Sequence, residues 1–444
     1  MVPSLTITDV LVTDVRVPTS DSLMGSDPFH KKPDYSAVVI QLLTDGGVQG
    51  YSLVFNIGAG NDWVAYGVRD LAVLVVGQKL DTFIRSPAAL HQLMVEHHQM
   101  RWLADGVFRM AAGGVINAMW DLWAQALGKP MWALLADLSP EEVVSCVDWR
   151  YLRDVLSPDE ALEILNQGRN GIDDRRKHMQ QQGPVAYSTS GWLGLSDEQI
   201  EADIRTLQSK GFQHFKTKVG GDLEDDIKRL GFLRDVIGDE GCLMTDANQI
   251  WGVDEAIEWM EKLTEFRPFW IEEPTARDDV LGFMKIRQAL KPHNIGVAAG
   301  EQVPSPVIFK QMLASGALTH CQIDAIRMGG VNDVIAVILV AAKYGIPVCP
   351  HGGGIGLCNM IRHYAIWDQL AVSCAREGRF VEYLNFLQDD VFESPVTVAN
   401  GCYDTPRQPG WGLEMKATFV EKHEYPIGAV WADRPGPKGP AFVA

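Results

Sequence analysis

The second half of the chain alternates short apolar segments with amphipathic helical segments, and this alternation constrains the fold more than any other feature. Helical periodicity is clear in the intervals 222–237, 253–265 and 332–344. Strands are predicted at 144–148, 214–219, 242–246, 269–273, 295–299, 321–324, 346–350 and 380–383. Strands separated by helices are typical of parallel βα units. One open sheet is the alternative, but regular alternation over about 240 residues matches the length of a closed barrel, which we predict.

The residues before Pro140 have a different pattern. Alternating apolar and polar residues predict strands at 4–10, 37–43 and 51–55, joined as an antiparallel meander, and helices fill most of 62–135. After residue 391 the chain is rich in glycine and proline, and we expect it to run back over the first domain. The predicted fold is therefore α/β, with an α+β domain at 1–140, a barrel at 141–390 and a C-terminal segment at 391–444.

Composition excludes several classes of function. The 444 residues are 46% hydrophobic, and neither a membrane-spanning run nor a secretion signal is visible, so we expect a cytoplasmic protein. A net charge of -18 disfavours nucleic acids and anionic membranes as partners. Seven scattered cysteines without a CxxC pair indicate reduced, mostly buried thiols rather than disulfides or a zinc ribbon. A small anionic substrate remains possible where a metal or local lysines reverse the field.

Charged or ionisable residues stand at the ends of seven predicted strands. Successive members are 28, 26, 29, 23, 27 and 31 residues apart, about one βα unit each. In a barrel, the carboxyl ends of parallel strands meet at one mouth, where such enzymes carry out their chemistry. Each residue alone could be a helix cap or a surface group. Together they predict an active site formed by Lys218, Asp246, Glu272, Glu301, Asp324, His351 and Glu382.

Three successive members of this set are carboxylates: Asp246, Glu272 and Glu301. Carboxylate oxygens are preferred ligands of hard octahedral cations. Without a cation, three converging carboxylates would repel one another and raise their own pKa values. The sequence therefore predicts a Mg²⁺ site.

The remaining members suggest acid and base roles. Lys216 and Lys218 are two apart on one strand, so both side chains point into the site, and their closeness should lower a lysine pKa towards that of a working base. His351 precedes three glycines, a backbone that can approach a ligand. Asp324, one strand earlier, is placed to hydrogen-bond the imidazole and raise its pKa, as an acid requires.

Short motifs around these residues resemble those of the enolase superfamily, in its mandelate-racemase-like branch. They are Lys216-Thr217-Lys218, Asp246-Ala247-Asn248-Gln249, Ile271-Glu272-Glu273-Pro274, Gly300-Glu301-Gln302 and Pro350-His351. The resemblance covers nearly the whole chain and implies a (β/α)7β barrel with an α+β capping domain completed by the tail. It also implies that Mg²⁺ is held by the three acids and that the protein is a homo-oligomer.

The same resemblance implies roles for individual residues. Lys218 would be a base on one face of the substrate, with Lys216 beside it, and His351, partnered by Asp324, an acid or base on the other face. Glu382 would face the substrate carboxylate or the enediolate. Further substrate contacts are expected from Lys216 and Asn248.

Within the superfamily the chain is most similar to the L-fuconate dehydratase group and its L-galactonate dehydratase relatives. The supporting stretches include Gly25-Ser26-Asp27, Pro33-Asp34-Tyr35-Ser36 and Gly191-Trp192-Leu193-Gly194. In that group an early loop closes over the substrate, which makes Ser20, Asp21, Ser22 and Tyr35 candidate specificity residues. The chain departs from the group's usual sequence at 29–32, 104–107 and 359, so the identity of the sugar acid is the open variable.

These observations predict a Mg²⁺-dependent hydro-lyase. It would remove the C2 proton of a sugar acid, such as L-fuconate, and expel the C3 hydroxyl to give a 2-keto-3-deoxy acid. Bases on both faces would also permit racemisation or epimerisation at C2. A non-catalytic metabolite-binding homologue is a third possibility.

Overall fold

A computed structural model describes residues 4–103 and 105–434. The N-terminal domain begins with an antiparallel sheet in the order β1-β2-β3, as the alternating pattern predicts. Turn residues at Asp45-Gly46-Gly47 separate the second and third strands. The strands are β1 (Ile7–Val17), β2 (Tyr35–Thr44) and β3 (Gly50–Ile57).

Five α-helices complete the described part of this domain: α1 (Asn61–Ala72), α2 (Leu80–Arg85), α3 (Pro87–Val95), α4 (Val107–Leu127) and α5 (Met131–Asp137). Helix α4 is buried along most of its length because it packs against the sheet on one side and the barrel on the other. Asn117 on this helix binds the barrel directly. Its Nδ2 donates to the carbonyl of Ala325 at 2.9 Å, and its Oδ1 accepts from the backbone N–H of Val331 at 3.0 Å.

Three helices without a strand lead to the barrel: α6 (Pro140–Ser145), α7 (Pro158–Arg169) and α8 (Ile172–Gln181). The strand predicted at 144–148 is therefore wrong. Ser139 and Glu142 form a reciprocal capping box, and Pro140 occupies the first turn, so the local sequence starts a helix.

The first barrel strand is instead β4 (Val185–Gly191), which the sequence interpretation missed. The other elements are α9 (Asp197–Ser209), β5 (His214–Lys218), α10 (Leu223–Ile237), β6 (Cys242–Asp246), α11 (Val253–Lys262), β7 (Trp270–Glu272), α12 (Val280–Leu290), β8 (Gly296–Ala299), α13 (Pro306–Ala314), β9 (His320–Cys321), α14 (Val331–Lys343), α15 (Leu357–Trp367) and β10 (Phe380–Tyr383).

The barrel closes in parallel register. Strands β4 to β9 pair in chain order, Cys321 bridges to Val348 in the short seventh strand position, and β10 pairs with β4. Backbone bonds from His351 to Ile323 and from Glu382 to Pro350 connect the seventh position to both neighbours. The (β/α)7β architecture with a capping domain is thereby confirmed.

The tail binds both domains. Strands β11 (Val398–Ala399) and β12 (Cys402–Tyr403) extend the sheet beside β4, and α16 (Ala417–His423) packs on β1. The backbone N–H of Tyr425 donates to the carbonyl of Asp14 at 2.8 Å, and Trp431 Nε1 donates to that of Arg16 at 3.0 Å. The structure thus agrees with the expected return of the chain over the first domain.

All seven cysteines are free thiols, and five of them are buried. Among the described residues, none of the helices is both long and apolar enough to cross a bilayer.

Candidate active site

Three carboxylates converge at the carboxyl ends of neighbouring barrel strands. Asp246 ends β6, Glu272 ends β7, and Glu301 follows β8. Strand register sets Asp246 directly beside Glu272, and one oxygen of each of the three side chains lies within 4.8 Å of the others. Asp246 and Glu272 are fully buried. Parallel pairing therefore brings Asp246 and Glu272 together, and the turn that follows β8 adds Glu301.

The electrostatics of this cluster favour a bound cation. Burial, followed by the adjacent charge of Asp246, raises the pKa of Glu272 to about 8. Burial and the neighbouring Glu301 raise the pKa of Glu273 well above its usual value. Buried like charges repel, and a divalent cation with oxygen ligands relieves that repulsion. The donor set fits Mg²⁺ better than a soft metal, since it contains no thiolate or imidazole.

Lys216 lies beneath the carboxylates as a buried counter-charge. Its Nζ is 2.6 Å from Glu272 Oε1, 2.9 Å from Glu382 Oε1 and 3.4 Å from Asp246 Oδ2. Burial disfavours the ammonium, but these three carboxylates outweigh it and raise the pKa of Lys216 well above its usual value. This geometry suits a permanently charged group rather than a proton acceptor.

Lys218 is the more accessible of the two lysines. Its Nζ lies 2.6 Å from Asp246 Oδ2 and 5.2 Å from the centre of the Trp192 ring, and the side chain faces the cavity. Burial lowers the pKa of Lys218, yet the charge of Asp246 more than offsets this, and the pKa is raised. The charge of Lys216 lowers the pKa of Lys218, as predicted, but the carboxylate of Asp246 outweighs it, so the predicted net lowering of a lysine pKa is wrong.

His351 and Asp324 form a pair, as their strand positions suggest. His351 Nδ1 lies 2.7 Å from Asp324 Oδ2, and Nε2 lies 3.4 Å from Glu301 Oε2. Burial lowers the pKa of His351, but Glu301 and the hydrogen bond to Asp324 raise it to about 10. The backbone N–H of Gly353 is 3.2 Å from Nε2 and can donate to it once the proton has left. The imidazole is thus prepared to carry and release a proton.

Glu382, at the end of the eighth strand, is held in its ionised form. Thr189 donates to Oε1 at 2.7 Å, and the N–H of Gly352 donates to Oε2 at 2.9 Å. Burial would raise the pKa of Glu382, but Lys216 and His351 hold it well below its usual range. Its charge therefore persists beside the two cationic side chains.

A cavity of about 230 Å³ lies above these groups, between the barrel mouth and the capping domain. It is lined by seven predicted residues: Tyr35, Lys216, Lys218, Asn248, Glu301, His351 and Glu382. The Oδ1 atom of Asn248 is buried without a hydrogen-bond partner among the described residues. Tyr35 is buried beside Phe55, with ring centres 5.0 Å apart. The cavity thus contains polar groups that a ligand can satisfy.

The structure does not bring three predicted cap residues into this cavity. Ser20 Oγ donates to Asp34 Oδ1 at 2.6 Å, and Ser22 Oγ donates to the carbonyl of Thr19 at 3.2 Å. Asp21 is exposed and accepts two hydrogen bonds from Arg434, at 3.0 and 2.7 Å. In this geometry the side chains of Ser20, Asp21 and Ser22 bond to the local turn and the tail rather than line the cavity, and their contact with substrate stays a prediction.

The cavity also contains residues that the sequence interpretation did not select: Asp27, His30, Trp192, Gln302 and Arg327. Asp27, Trp192 and Gln302 belong to motifs that supported the resemblance, so a signal for them existed. His30 lies in the 29–32 stretch, which the sequence interpretation noted only as a departure from the expected family pattern. Arg327 carried no signal, since it belongs to the irregular loop after β9.

A larger groove of about 880 Å³ lies between the tail and the barrel. Its buried guanidinium, Arg362, is paired with Asp404 at 2.8 Å. None of the strand-end acids or bases lines it, so the chemistry belongs to the smaller cavity.

Comparison with known proteins agrees with this geometry. Residues 7–136 match the family model "Mandelate racemase / muconate lactonizing enzyme, N-terminal domain", and residues 199–419 match "Enolase C-terminal domain-like". Human mitochondrial enolase superfamily member 1 is 45% identical over 430 residues, which cover 96% of this chain and 97% of that protein. L-galactonate dehydratase of Hypocrea jecorina is 42% identical, with 95% and 94% covered.

The crystal structure of the human protein superposes with a TM-score of 0.95. The two chains are 44% identical there, and the match covers 97% of this chain and 99% of the human one. Fold and domain arrangement are therefore shared over 97% of this chain.

Proposed function

We propose that this chain, which belongs to the enolase superfamily and to its mandelate racemase and muconate lactonizing enzyme branch, dehydrates a sugar acid with Mg²⁺ as cofactor. It is an enzyme of the hydro-lyase class, like the dehydratases among its relatives. The observation that carries the proposal is that Lys218 and the Asp324–His351 pair line one cavity above three convergent carboxylates. L-Fuconate is the substrate we predict, with L-galactonate, its 6-hydroxy counterpart, as the nearest alternative.

Asp246, Glu272 and Glu301 would hold Mg²⁺, since their oxygens are close enough to share one ion. When bound, the cation supplies Lewis-acid stabilisation of negative charge on the substrate carboxylate. Lys216 adds a fixed positive charge below it, bridging Glu272 and Glu382. Charge that develops on the substrate therefore meets preorganised cationic groups.

Lys218 would take the proton from C2. Its Nζ is bonded to a single carboxylate, that of Asp246, and lies over the ring of Trp192 at the cavity wall. A base needs a free lone pair at the moment of transfer, and Lys218 has fewer acidic neighbours to hold its proton than Lys216 does. Of the two lysines we assign the base to Lys218.

His351 would protonate the departing C3 hydroxyl, which leaves as water. Asp324 fixes Nδ1, so the proton available to the cavity is the one on Nε2. The enol that forms then tautomerises to the 2-keto-3-deoxy acid. Glu382 keeps Lys216 and the Gly352 backbone in place through its two oxygens.

A screen of purified protein against sugar acids with Mg²⁺ tests the proposal. Formation of a keto acid, trapped with semicarbazide, is the expected result. Protonatable groups at two sites of the cavity would also allow racemisation, and the same screen in D₂O separates the two. A racemase gives deuterated epimer without loss of water, and a dehydratase gives keto acid. Binding without turnover would indicate the non-catalytic alternative.

Two further predictions stay open. We expect the protein to be cytoplasmic and to form a homo-oligomer, neither of which enters the chemistry above.

A further inference from the structure

We infer that His30, oriented by Asp27, is a specificity residue that binds one hydroxyl group of the sugar acid beyond C3. The inference rests on the proposed function, because it assumes that a sugar acid occupies the cavity. It concerns a second histidine–aspartate pair, on the capping domain, which is separate from the pair formed by His351 and Asp324.

The Asp27–His30 pair is a built part of the cavity wall. His30 Nδ1 lies 2.8 Å from Asp27 Oδ2, and the other Asp27 oxygen accepts the backbone N–H groups of Phe29 at 2.8 Å and His30 at 2.6 Å. Asp27 is buried, whereas 36% of the His30 side chain is exposed. The carboxylate therefore fixes both the loop and the imidazole, and the ring remains accessible.

The loop that carries the pair is fastened to the barrel. Ser26 Oγ accepts the N–H of Gly194 at 2.8 Å, and its carbonyl accepts that of Leu193 at 3.3 Å. Gly25 has φ of +85°, and a Cβ there would lie 2.6 Å from the Tyr35 ring. This close packing leaves little room for the loop to shift, so His30 is presented at a defined place.

Only one ring nitrogen of His30 is left for a ligand. Asp27 takes Nδ1, and Nε2 has no hydrogen-bond partner within 4–103 and 105–434. In the neutral ring, an Nδ1–H bonded to a carboxylate leaves Nε2 as an acceptor. An alcohol hydroxyl is the complementary donor, and sugar acids carry several.

The position of the pair determines which hydroxyl it can meet. The substrate carboxylate must lie next to Asp246, Glu272 and Glu301, which lie on the barrel side of the cavity. Atoms C2 and C3 must then lie between Lys218 and His351. The rest of the carbon chain then extends towards the capping side of the cavity, where Asp27, His30 and Tyr35 lie. The hydroxyl bound by His30 is therefore on C4 or C5, or on C6 when the acid carries a hydroxyl there, as L-galactonate does and L-fuconate does not.

The test compares kcat/KM of wild type and His30→Ala for the best substrate and for its 4- and 5-deoxy analogues, with the 6-deoxy analogue added when the best substrate carries a C6 hydroxyl. The substitution should lower kcat/KM for the parent acid by about 10-fold or more, the effect of one lost hydrogen bond to a well-placed polar group. For one deoxy analogue, wild type should show a similar loss, and His30→Ala should add less than about 2-fold to it. The exposed His98→Ala variant is the control and should match wild type on every acid.

Asp27→Asn gives a readout that does not depend on activity. Its amide oxygen can still accept the loop N–H groups, but its NH₂ must donate to Nδ1, which moves the imidazole proton to Nε2. Ring ¹⁵N shifts should report the Nδ1–H tautomer in wild type and the Nε2–H tautomer in the variant.

The possible failures are distinct. An equal loss on the parent acid and on every deoxy analogue, or no loss, would overturn the role of His30 while the dehydratase function stands. An Nε2–H tautomer in wild type would overturn the role of Asp27. Absence of turnover by wild type on every sugar acid would overturn the proposed function and this inference with it.

Discussion

Asp324 Oδ2 lies 2.7 Å from His351 Nδ1, and the other oxygen of the same carboxylate accepts the backbone N–H groups of Ile326 and Arg327, at 2.7 and 3.2 Å. The carboxylate is thus fixed by the loop that follows β9, and it fixes the imidazole in turn. Only Nε2 is left to face the cavity. Asp324 therefore connects the backbone of the loop after β9 to the imidazole of His351, which follows the next strand position.

Replacing Asp324 with Asn should lower kcat by about 100-fold or more and leave KM within a few-fold. The amide carries no charge to support the imidazolium, and loss of this partner lowers the pKa of His351. Steady-state kinetics over a range of pH measure both effects, since the limb assigned to the acid should move to lower pH. Asp173→Asn, at an exposed aspartate on α8 outside the cavity, is the matched control and should behave as wild type. Unchanged kcat and an unchanged profile in Asp324→Asn would remove Asp324 from the mechanism.

Glu272→Gln and Glu301→Gln should each weaken Mg²⁺ binding by at least about 10-fold, because a neutral amide replaces a charged ligand. Titration calorimetry with Mg²⁺ alone measures this without substrate. Chelation of wild type should abolish turnover, and added Mg²⁺ should restore it. Glu421→Gln, at an exposed position on α16, serves as the control. Wild-type affinity in either ligand variant would show that the cation lies elsewhere.

Gly113→Ala should damage the protein more than Gly114→Ala, although the two glycines are adjacent on α4. A Cβ on Gly113 would fall on the carbonyl oxygen of Met328 and lie 2.9 Å from Gly330 N, both backbone atoms of the loop that contains Arg327. A Cβ on Gly114 would meet only side-chain ends of Ile40 and Val54, at 2.7 Å. We expect the free energy of unfolding to fall by about 2 kcal/mol or more in Gly113→Ala, with lower kcat/KM. Urea unfolding measures the free energy of unfolding of both variants. A larger decrease in Gly114→Ala than in Gly113→Ala would contradict the prediction.

The ion pairs of the buried Asp333 should stabilise the fold fully only at a pH above the pKa of an aspartate in the unfolded chain. Arg109 Nη2 lies 2.7 Å from one oxygen, and His91 Nε2 lies 2.9 Å from the other. Burial raises the pKa of Asp333, but Arg109 and His91 outweigh it and hold the pKa well below the ordinary value of 3.8. The unfolded chain therefore binds the proton more readily, so this stabilisation is complete above about pH 4 and is lost as the pH falls below it.

Asp333→Asn should accordingly lower the free energy of unfolding by about 3 kcal/mol at pH 7, because Arg109 is left without its counter-charge. Below pH 4 the gap to wild type should narrow, since wild type loses the same contribution. Urea unfolding at pH 7, 5, 4 and 3.5 gives the comparison. A gap that stays constant over this range would refute the assigned ionisation of Asp333.

The acids and bases at the strand ends could be predicted from sequence because parallel strands obey a simple rule. Each charged residue ends a short apolar run, and register then aligns Lys218 with Asp246 and Asp246 with Glu272. The electrostatic result could not be predicted in the same way. The closeness of Lys216 and Lys218 in sequence suggested that a lysine pKa would be lowered. The fold, however, places Asp246 and Glu272 beside these lysines, and their charges raise the lysine pKa values.

The first barrel strand escaped prediction because only its first residues, Val185-Ala186-Tyr187, are apolar. The small hydroxylic residues Ser188-Thr189-Ser190 follow, and they are buried because Ser188 and Thr189 bond to Tyr383 and Glu382 of the eighth strand. Tertiary partners, rather than hydropathy, make it a strand. The apolar run at 144–148 was the opposite case, where the capping box of α6 decided the outcome.

The cap loop could be located from sequence but its orientation could not. Whether Ser20 or His30 faces the substrate depends on how 19–34 folds against the barrel, and no periodicity governs an irregular loop. Asp34 turns Ser20 away, whereas Asp27 turns His30 towards the cavity. To predict the orientation of this loop, one would have to know that Ser26 accepts a hydrogen bond from Gly194 of the barrel, and the sequence does not reveal that contact.

Turnover of the best sugar acid by Lys218→Ala and His351→Ala, measured as semicarbazide-trapped keto acid beside Mg²⁺ calorimetry, tests the central claim most directly. Both variants should fall at least about 1,000-fold in kcat and keep wild-type affinity for Mg²⁺, because neither side chain is one of the three carboxylate ligands. Near-normal turnover in either variant would contradict the assignment of base and acid.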